Sequence, residues 1–539
     1  MSGDVFGIDL GTTYSAVARI NDLDQAEIVK SQSGEDTTPS VVYFDSGTAI
    51  VGGEAKSSLV TDSDNGCALI KRRMGTVFPQ SFGGQTYTPE SISGLILKEL
   101  VQAANQEGDS KVTKAVITVP AYFGVKEKEA TKQAGEMAGL EIVGIIAEPI
   151  AAALSLGVRG EKRETILIFD LGGGTFDTTV MIAEPGNVEV VAVDGNRVLG
   201  GADWDAALAR VVIDKFVAQA GIADVDPADD PDFMVEILQD VEAKKKLLTR
   251  KQDTTFRCRF EGHDEKIVVT RDEFVSATAH LVKQTVEITQ RVIDTAKQKA
   301  PGLAIDKLLL VGGSSRMPMV DEALRAAGFD PIPTDFDLSV AKGAAIYGQA
   351  IVDGAVPFPV SGPGDENSGA QSEVPTNTVP KYYLGPGATT LNIKNALSRG
   401  IGVEFVRGDS SDAFEQYIGF LVHANDSLPV VDAKLEAGTA SDNQTGVRVK
   451  LYEQGGDVES ESVSANNLLT EAEITGMPPM PRGSTIELLL SISNEGIATL
   501  RAREPISGRE LTLEAKISAL KPEEVEAGKE LVGGLMTRS

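Results

Sequence analysis

The sequence predicts a large α/β domain followed by a smaller all-β domain. Residues 1–354 alternate strand-like and helix-like stretches, such as "AVITVP" (115–120) and "KEKEATKQAGEMAGL" (126–140). Residues 394–517 contain short runs rich in β-branched residues, separated by turn signals such as "SDNQ" and "SNEG". Between these regions, residues 355–393 are rich in Pro, Gly and Ser, which predicts a flexible linker because such a segment buries too little apolar surface to fold alone.

Composition and charge argue against several classes of function for this chain of 539 residues. The formal net charge of −29 disfavours both nucleic acid and an anionic membrane surface as partners. The N-terminus lacks the basic and apolar regions of a secretory signal, and no stretch approaches about 18 apolar residues, so we expect a cytoplasmic protein. Cys67 and Cys258 lack metal or redox spacing and are expected to be unpaired thiols.

Two glycine-rich turns share one plan, in which an apolar strand ends in Asp and runs into Gly and Thr. They are "FGIDLGTTYS" (6–15) and "IFDLGGGTFDTT" (168–179). Glycine lets backbone N–H groups approach a phosphate closely, and a carboxylate at a strand end can hold a hydrated Mg²⁺. Neither turn matches a P-loop or opens a helix with GxGxxG. A plain glycine turn explains either one alone, whereas the pair indicates two anion-binding turns facing one cleft.

Two further stretches are ambiguous when taken alone. "LVGGSSRMP" (310–318) is a third glycine turn whose Arg316 could stack on a purine, or it is a simple strand–helix turn. "VEAKKKLLTRK" (241–251) places acidic and basic residues at helical spacing, which by itself favours a solvated, salt-bridged helix face.

Six motifs in order resemble the nucleotide-binding domain of the heat-shock-70 chaperones of the DnaK type. They are "GIDLGTTYS", "VPAYF", "AEPIAAAL", "FDLGGGTFD", "LGGADWD" and "VGGSSRMP". In the β region, "SDNQTGVRVKLYEQG" and "SGRELTLEAKI" resemble that family's peptide-binding β-sandwich. The resemblance covers about residues 1–354 and 394–517. It implies an actin-like, ribonuclease-H-like α/β ATPase domain with two lobes around a nucleotide cleft, followed by an all-β peptide-binding sandwich. The short stretch between "KRRMGTVF" and "YTPESISGLILKEL" resembles the actinobacterial and Gram-positive form of the nucleotide-binding domain.

The resemblance also implies roles for individual residues in the cleft. Lys71 matches the family's catalytic lysine, although "KRR" (71–73) alone reads as a solvated basic run, and Glu148 matches the acid near the attacking water. The predicted catalytic residues are Lys71, Glu148, Asp170, Thr175 and Asp177. The predicted Mg²⁺ site, reached largely through water, consists of Asp9, Asp170 and Asp177. The residues predicted to bind ATP or ADP are Gly11, Thr12, Thr13, Tyr14, Gly172, Gly173, Gly174, Thr175, Gly200, Gly201, Glu242, Lys245, Lys246, Thr249, Gly312, Gly313, Ser314, Arg316 and Asp337. K⁺ is a further candidate cation.

The resemblance implies unfolded or extended polypeptides as partners and makes a GrpE-type nucleotide exchange factor a candidate. Two departures argue against a J-domain co-chaperone. The family has a basic residue before its "IIxEP" run, where this chain has Val143 and Gly144, and an acidic residue shortly after "VPAYF", where it has Val125. The family's linker is a short leucine run ending in Asp that docks on the nucleotide-binding domain, and only "KYYLG" (381–385) is a partial equivalent here. Residues 518–539 are expected to be the truncated start of the family's helical lid, or a tail.

The predicted peptide site is in the β domain. Val403, Val406 and Val447 fall where the family presents apolar side chains to an extended peptide, a recognised mode of binding. The alternative is that these valines belong to the core of the β-sandwich.

We therefore predict an ATP-dependent molecular chaperone that hydrolyses Mg–ATP and binds extended apolar polypeptide segments. The departures in the linker and at 143–144 keep open a different class, a nucleotide-dependent scaffold with one dedicated partner and a weak or uncoupled ATPase. A sugar kinase or filament protein of the actin-like fold is a third class, and the β domain argues against it.

Overall fold

The structure is a computed structural model that describes residues 5–107, 113–157, 162–185, 187–222, 224–335, 338–352, 381–382, 391–407, 415–456, 458–474, 478–493, 498–503, 510–513 and 519–539. Its strands are β1 Val5–Asp9, β2 Tyr14–Ile20, β3 Ala26–Val29, β4 Thr38–Pro39, β5 Val41–Asp45, β6 Thr48–Val51, β7 Gly66–Ala68, β8 Gln80–Phe82, β9 Gln85–Tyr87, β10 Lys114–Val119, β11 Glu141–Ala147, β12 Glu164–Leu171, β13 Phe176–Glu184, β14 Asn187–Asn196, β15 Asp253–Phe260, β16 His263–Thr270, β17 Lys307–Val311, β18 Pro331–Pro333, β19 Lys381–Tyr382, β20 Leu391–Lys394, β21 Ile401–Arg407, β22 Glu415–Val422, β23 Val430–Gly438, β24 Val447–Gln454, β25 Asn466–Ile474, β26 Thr485–Ile492, β27 Ala498–Arg503, β28 Glu510–Leu513 and β29 Met536–Arg538. Its α-helices are α1 Gly53–Thr61, α2 Pro89–Glu107, α3 Val125–Met137, α4 Glu148–Ser155, α5 Gly201–Ala220, α6 Pro231–Leu248, α7 Arg271–Lys299, α8 Pro318–Ala326, α9 Ser339–Val352 and α10 Pro522–Gly534.

Two large sheets repeat the same plan. In the first, β1 pairs antiparallel with β2 and parallel with β10, and the strand order is β11-β10-β1-β2-β3, with β4 on β2. In the second, β12 pairs antiparallel with β13 and parallel with β17, and the order is β18-β17-β12-β13-β14-β20-β19. The first lobe contains β1–β11 and α1–α3, and the second lobe contains β12–β18 and α5–α8. The internal similarity seen in the sequence is therefore a structural repeat.

Each glycine-rich turn joins the first two strands of its sheet. β12 is buried along all but its first residue, as expected for a strand covered on both faces, and it ends where the second turn begins. β1 is similarly buried up to Asp9. Because the strands cannot shift in register without exposing apolar residues, the turns are held in fixed positions at one edge of each sheet.

The region predicted to be an unstructured linker contributes strands to the second lobe. β20 pairs in parallel with β14, through Val188 and Ile393 among others, and β19 pairs antiparallel with β20. From the sequence, all of residues 355–393 were predicted to be a flexible linker, with only "KYYLG" as a candidate for docking on the nucleotide-binding domain. β20 adds to the sheet edge beside β14, with Ile393 buried, and β19, the Lys381–Tyr382 part of "KYYLG", pairs with β20 at the same edge. The rest of this region lies outside the described residues.

The β domain consists of two four-stranded antiparallel sheets with the orders β22-β21-β24-β25 and β23-β26-β27-β28. Their facing side chains, among them Ile401, Leu451, Leu488 and Leu490, form one buried cluster. This arrangement is a β-sandwich. Among the described residues, no helix is both long and apolar enough to cross a bilayer.

The β-sandwich contacts the nucleotide-binding region at the N-terminus of α3. Val125 packs into the apolar cluster of the sandwich, and its N–H donates to Glu453 Oε1 at 2.9 Å. Ser398 Oγ donates to the carbonyl of Phe123 at 2.8 Å, and the N–H of Val193 donates to Asn425 Oδ1 at 2.7 Å. Both lobes are therefore in contact with the β domain.

The C-terminal segment packs on the first lobe. Helix α10 lies against α2 and α3, and β29 pairs in parallel with β6. Within the residues described, this segment packs against the first lobe, and its interpretation as a truncated start of the lid or a tail stays a prediction.

Candidate functional site

A cavity of about 820 Å³ lies between the two lobes and brings together most of the predicted cleft residues. The predicted residues that line it are Asp9, Gly11, Thr12, Thr13, Tyr14, Lys71, Glu148, Asp170, Gly172, Gly173, Thr175, Gly201, Glu242, Lys245, Lys246, Thr249, Gly312, Gly313, Ser314 and Arg316. Gly174, Gly200 and Asp177 are described but do not line it. Asp337 lies outside the described residues.

The two glycine-rich turns touch each other across the cleft. A Cβ atom on Gly173 would lie 1.8 Å from Thr13 Oγ1, and one on Gly174 would lie 2.1 Å from Thr12 Cγ2. A side chain at either position would therefore push the loops apart. The glycines are needed because the loops approach each other this closely.

Lys71 and Glu148 form a buried ion pair at the cavity wall. Lys71 Nζ lies 2.6 Å from Glu148 Oε1, and the lysine side chain is 4% exposed. The Lys71 ammonium also faces the ring of Phe123 at 5.9 Å. The sequence interpretation of "KRR" as a solvated run is wrong for Lys71, because the turn Ile70–Arg73 points this side chain into the cleft.

Carboxylates crowd the same end of the cavity. Burial raises the pKa of Asp170 well above its ordinary value, and the negative charges of Glu148, Asp177 and Asp9 raise it further. Burial and the charge of Glu148 likewise raise the pKa of Asp177. Its Oδ2 accepts a hydrogen bond from the N–H of Ala121, while Oδ1 has no hydrogen-bond partner. When ionised, these carboxylates carry more negative charge than the single positive charge of Lys71 can neutralise.

A site that is rich in oxygen atoms and has negative charge not neutralised by nearby cations fits Mg²⁺, because this ion prefers carboxylates and retains water ligands. Within the described residues, no three acidic, His or Cys side chains are close enough to ligate one ion directly. That Asp9, Asp170 and Asp177 hold the ion largely through water stays a prediction.

The other end of the cavity is closed by an ion cluster around Glu242 of α6. Glu242 Oε1 accepts from Tyr14 Oη at 2.9 Å and pairs with Lys246 Nζ at 2.7 Å, and Glu242 Oε2 pairs with Lys56. Burial raises the pKa of Glu242, but the hydrogen bonds and charges of Lys246 and Lys56 outweigh it and lower the pKa to about 2. This acid is therefore ionised at neutral pH.

Lys245 does not lie on a solvated helix face, which is where the spacing of charges in 241–251 alone would place it. It is buried, donates to the carbonyl of Gly201 at 2.8 Å, and lies 2.9 Å from Asp205 Oδ1. Lys245 thus fixes the start of α5 next to the second glycine turn. The third glycine turn packs there as well, since a Cβ on Gly201 would lie 2.4 Å from Ser314 Oγ.

Three residues of this site were missed from the sequence. Arg72 Nε donates to the carbonyl of Gly174 at 2.7 Å, and its Nη2 lies 2.8 Å from Asp203 Oδ2. Asp203 in turn accepts from the N–H of Gly200 at 2.7 Å. Lys56 is the third, and it sits on α1 with no local motif. The basic run 71–73 contained the signal for Arg72, but nothing local distinguishes a buried arginine from an exposed one.

The predicted peptide residues do not share one environment. Val403 is 2% exposed and belongs to the core of the sandwich, whereas Val406 is 43% exposed. Val447 is half-buried and packs against the core. Part of the loop that follows Val406 lies outside the described residues.

The chain is similar in sequence to a family of known proteins. The sequence model of the family described as Hsp70 protein matches residues 5–83, 77–358 and 412–531. The chain is 34% identical over 520 residues to Chaperone protein DnaK from Halobacterium salinarum, covering 94% of this chain and 74% of that protein. It is 34% identical over 521 residues to Chaperone protein DnaK from Thermosipho africanus, covering 94% of this chain and 79% of that protein.

The chain belongs to the Hsp70 family. The resemblance seen in the sequence is thereby confirmed, and so is the predicted fold, an actin-like ATPase domain followed by a β-sandwich. Hsp70 proteins are ATPases that bind ATP and ADP with Mg²⁺ and act as ATP-dependent chaperones for unfolded polypeptides, and these are the activity and the function of this chain. Nothing in the comparisons favours the scaffold alternative.

Proposed function

We propose that this Hsp70 protein hydrolyses ATP with the residues of the cleft described above. The supporting observation is that both glycine turns, the Lys71–Glu148 pair, Asp9 and Asp170 line a single cavity. In this proposal, backbone N–H groups of the turns and the hydroxyls of Thr12, Thr13 and Thr175 bind the phosphates. The purine end of the nucleotide lies among Glu242, Lys246 and Arg316.

In the hydrolytic step, a water oxygen forms a bond to the γ-phosphorus while the bond to the β–γ bridging oxygen breaks, which gives ADP and phosphate. Glu148 accepts a hydrogen bond from this water and orients it. Lys71 holds Glu148 in place and stabilises the negative charge that develops on the γ-phosphoryl oxygens. Asp9, Asp170 and Asp177 would hold Mg²⁺, which neutralises phosphate charge when bound.

Single-turnover ATP hydrolysis tests these assignments. Lys71→Ala should slow the chemical step by about 10²–10³-fold, because it removes a charged donor from the transition state. Thr175→Ala should slow it by about 10-fold or more, because it removes one hydrogen bond to a charged group.

Arg325→Ala is the control, since Arg325 is an exposed residue of α8 that pairs with Asp321 of the same helix and with Asp330, which follows it. It should leave the rate unchanged. Wild-type rates in both the Lys71 and the Thr175 variants would reject the proposed mechanism.

The β domain is the proposed site for extended polypeptides. Of the three valines, Val406 is the best placed to contact a peptide, because it is exposed, whereas Val403 fills the core.

A GrpE-type exchange factor, K⁺ as a second cation and a cytoplasmic location are compatible with this function and remain proposals. We further propose that a J-domain co-chaperone acts weakly, since Gly144 and Val125 replace the charged residues that the family carries.

A further inference from the structure

The C-terminal segment, residues 519–539, is integrated into the packing of the first lobe. Val525 and Val532 of α10 are buried in the apolar core of that lobe. A Cβ atom on Gly528 would lie 2.6 Å from Met137 Cε, so α10 approaches α3 very closely. Gln133 of α3 holds the start of the segment through a hydrogen bond from the N–H of Leu520 to Oε1 at 3.1 Å.

The C-terminal end of α10 is capped by a lysine of the lobe. Lys98 Nζ donates to the carbonyl oxygens of Val532 at 2.9 Å, Gly533 at 3.3 Å and Leu535 at 2.7 Å. Carbonyls at the end of a helix lack partners within the helix and carry partial negative charge, so an ammonium there is favourable. The cap directs the chain out of α10 towards the edge of β6.

Strand β29 then extends the four-stranded sheet of the first lobe, whose order is β29-β6-β5-β7. It pairs in parallel with β6 from Met536 opposite Thr48 to Arg538 opposite Ile50. Thr537 Oγ1 donates to Gln102 Oε1 of α2 at 2.8 Å. The pairing supplies backbone partners to an edge strand.

Strand β6 leads directly into α1, which has little stability of its own. α1 has nine residues, its N-cap is Gly52 with no side-chain hydrogen bond, and Ala55 is its buried residue. So short a helix depends on its neighbours. Arg538 provides one such contact, because its Nη2 lies 2.9 Å from Oε1 of Glu54 in the first turn, and its Nη1 lies 3.2 Å from Oε2.

The opposite side of α1 reaches the nucleotide cleft. Lys56, Leu59 and Val60 line the cavity. Lys56 Nζ donates to Tyr14 Oη at 2.9 Å and pairs with Glu242 of the second lobe. α1 therefore lies between the C-terminal segment and a contact that joins the two lobes across the mouth of the cleft.

We propose that residues 519–539 form a strap that slows nucleotide release. The strap holds β6 and the first turn of α1, and α1 in turn holds Lys56 against Glu242. When the strap is loosened, α1 gains freedom, the contact between the lobes weakens and ADP leaves faster. Arg538 is a positioning residue in this scheme, because it acts on the nucleotide through α1 and not by contact.

The test measures dissociation of a fluorescent ADP analogue by stopped flow in the full chain. Arg538→Glu should speed dissociation by about two- to fivefold, which corresponds to the loss of one exposed ion pair. Arg538→Glu combined with Glu54→Arg should restore the original rate, because the pair is rebuilt with reversed charges. Val532→Asp, which places a charge in the apolar core under α10, should give an effect of about tenfold or more.

Arg538→Lys and Arg325→Ala are matched controls and should release ADP at the wild-type rate within about twofold. Thermal unfolding midpoints, measured alongside, separate positioning from stability, because a merely structural contact would lower the midpoint and leave the dissociation rate unchanged. An unchanged rate in Arg538→Glu, or a failure of the charge swap to restore it, would overturn the proposal even if Val532→Asp does not fold. ADP binding by the unmodified chain is confirmed first, so a failure of the nucleotide site itself is recognised separately.

Discussion

The nucleotide cleft and the β-sandwich differ in how well the sequence alone identifies their functional residues. In the cleft, the glycine turns bring backbone atoms into contact, and a Cβ on Gly173 would lie only 1.8 Å from Thr13 Oγ1. Such positions accept one residue type, so the motif is recognisable. In the sandwich, valine occurs both in the core and on the solvent-exposed face, so the residue type alone does not identify a peptide-binding position.

Strand β21 illustrates the difference. Val403 and Val406 are three positions apart, and successive side chains of a strand point to opposite faces. The two valines must therefore face opposite sides of the sheet, and indeed Val403 is buried while Val406 is exposed. Alternation could have revealed this in the sequence, but matching residues to a family pattern obscured it.

The largest expected effect comes from the close contact between the glycine turns. Gly173→Val should weaken ATP binding by about 100-fold or more, because the new side chain displaces Thr13 and separates the phosphate-binding loops. Isothermal titration calorimetry would measure it. Gly533→Ala is the control, since a Cβ there meets no atom within 4 Å. If Gly173→Val still binds ATP tightly, the contact between the glycine turns does not require glycine at this position, and the contrast with the sandwich fails.

Substitutions of the two valines of β21 test the same comparison in the β-sandwich. Val403→Asp should destabilise the β-sandwich by about 3 kcal/mol or more, because it buries an unpaired charge. Val406→Asp should change stability by less than about 1 kcal/mol, because the side chain remains in water. Chemical denaturation followed by circular dichroism tests both variants. Equal losses would show that Val406 also belongs to the core.

The interface between the two regions should respond to pH through Glu453. Burial and the nearby charge of Glu127 raise the pKa of this carboxyl to about 7, against the opposing effects of Arg399, Lys128 and the hydrogen bond from the N–H of Val125. Arg399 Nη1 lies 3.5 Å from Glu127 and 3.7 Å from Glu453, and Arg197 also pairs with Glu127.

Because the pKa is higher in the docked state than the ordinary 4.5, docking favours the protonated form. The contact is therefore strongest below about pH 4.5 and weakens as the pH rises towards 7. The protection of amides at the start of α3, measured by hydrogen exchange relative to unstructured amides at the same pH, should decrease over this range in the unmodified chain. In Glu453→Gln this protection should stay nearly constant, and an identical pH dependence of protection in that variant would exclude Glu453 as the titrating group.

Residues close together in the chain were the most predictable part of the site. The two glycine turns, the strands that precede them and the repeat they form were all evident, because a buried strand ending in Asp–Leu–Gly is a local pattern. Lys71 was identified through the family resemblance, while its spacing indicated a solvated run. Arg72 and Lys56 were missed because their partners, Gly174 and Glu242, lie far away in the chain. Asp203 is only three positions from its partner Gly200, within the motif "LGGADWD", so its contact was local and the motif was matched without a role for it.

By itself, the sequence determined the order of the α/β and all-β regions, the paired glycine-rich turns and membership of the Hsp70 family. Only the tertiary structure decided which charged side chains are buried, that Leu391–Lys394 adds a strand to the second lobe, and that residues 519–539 pack on the first. The physical reason is that local patterns reflect backbone geometry, which a few neighbouring residues fix. Burial and edge pairing depend on surfaces that meet only once the chain has folded.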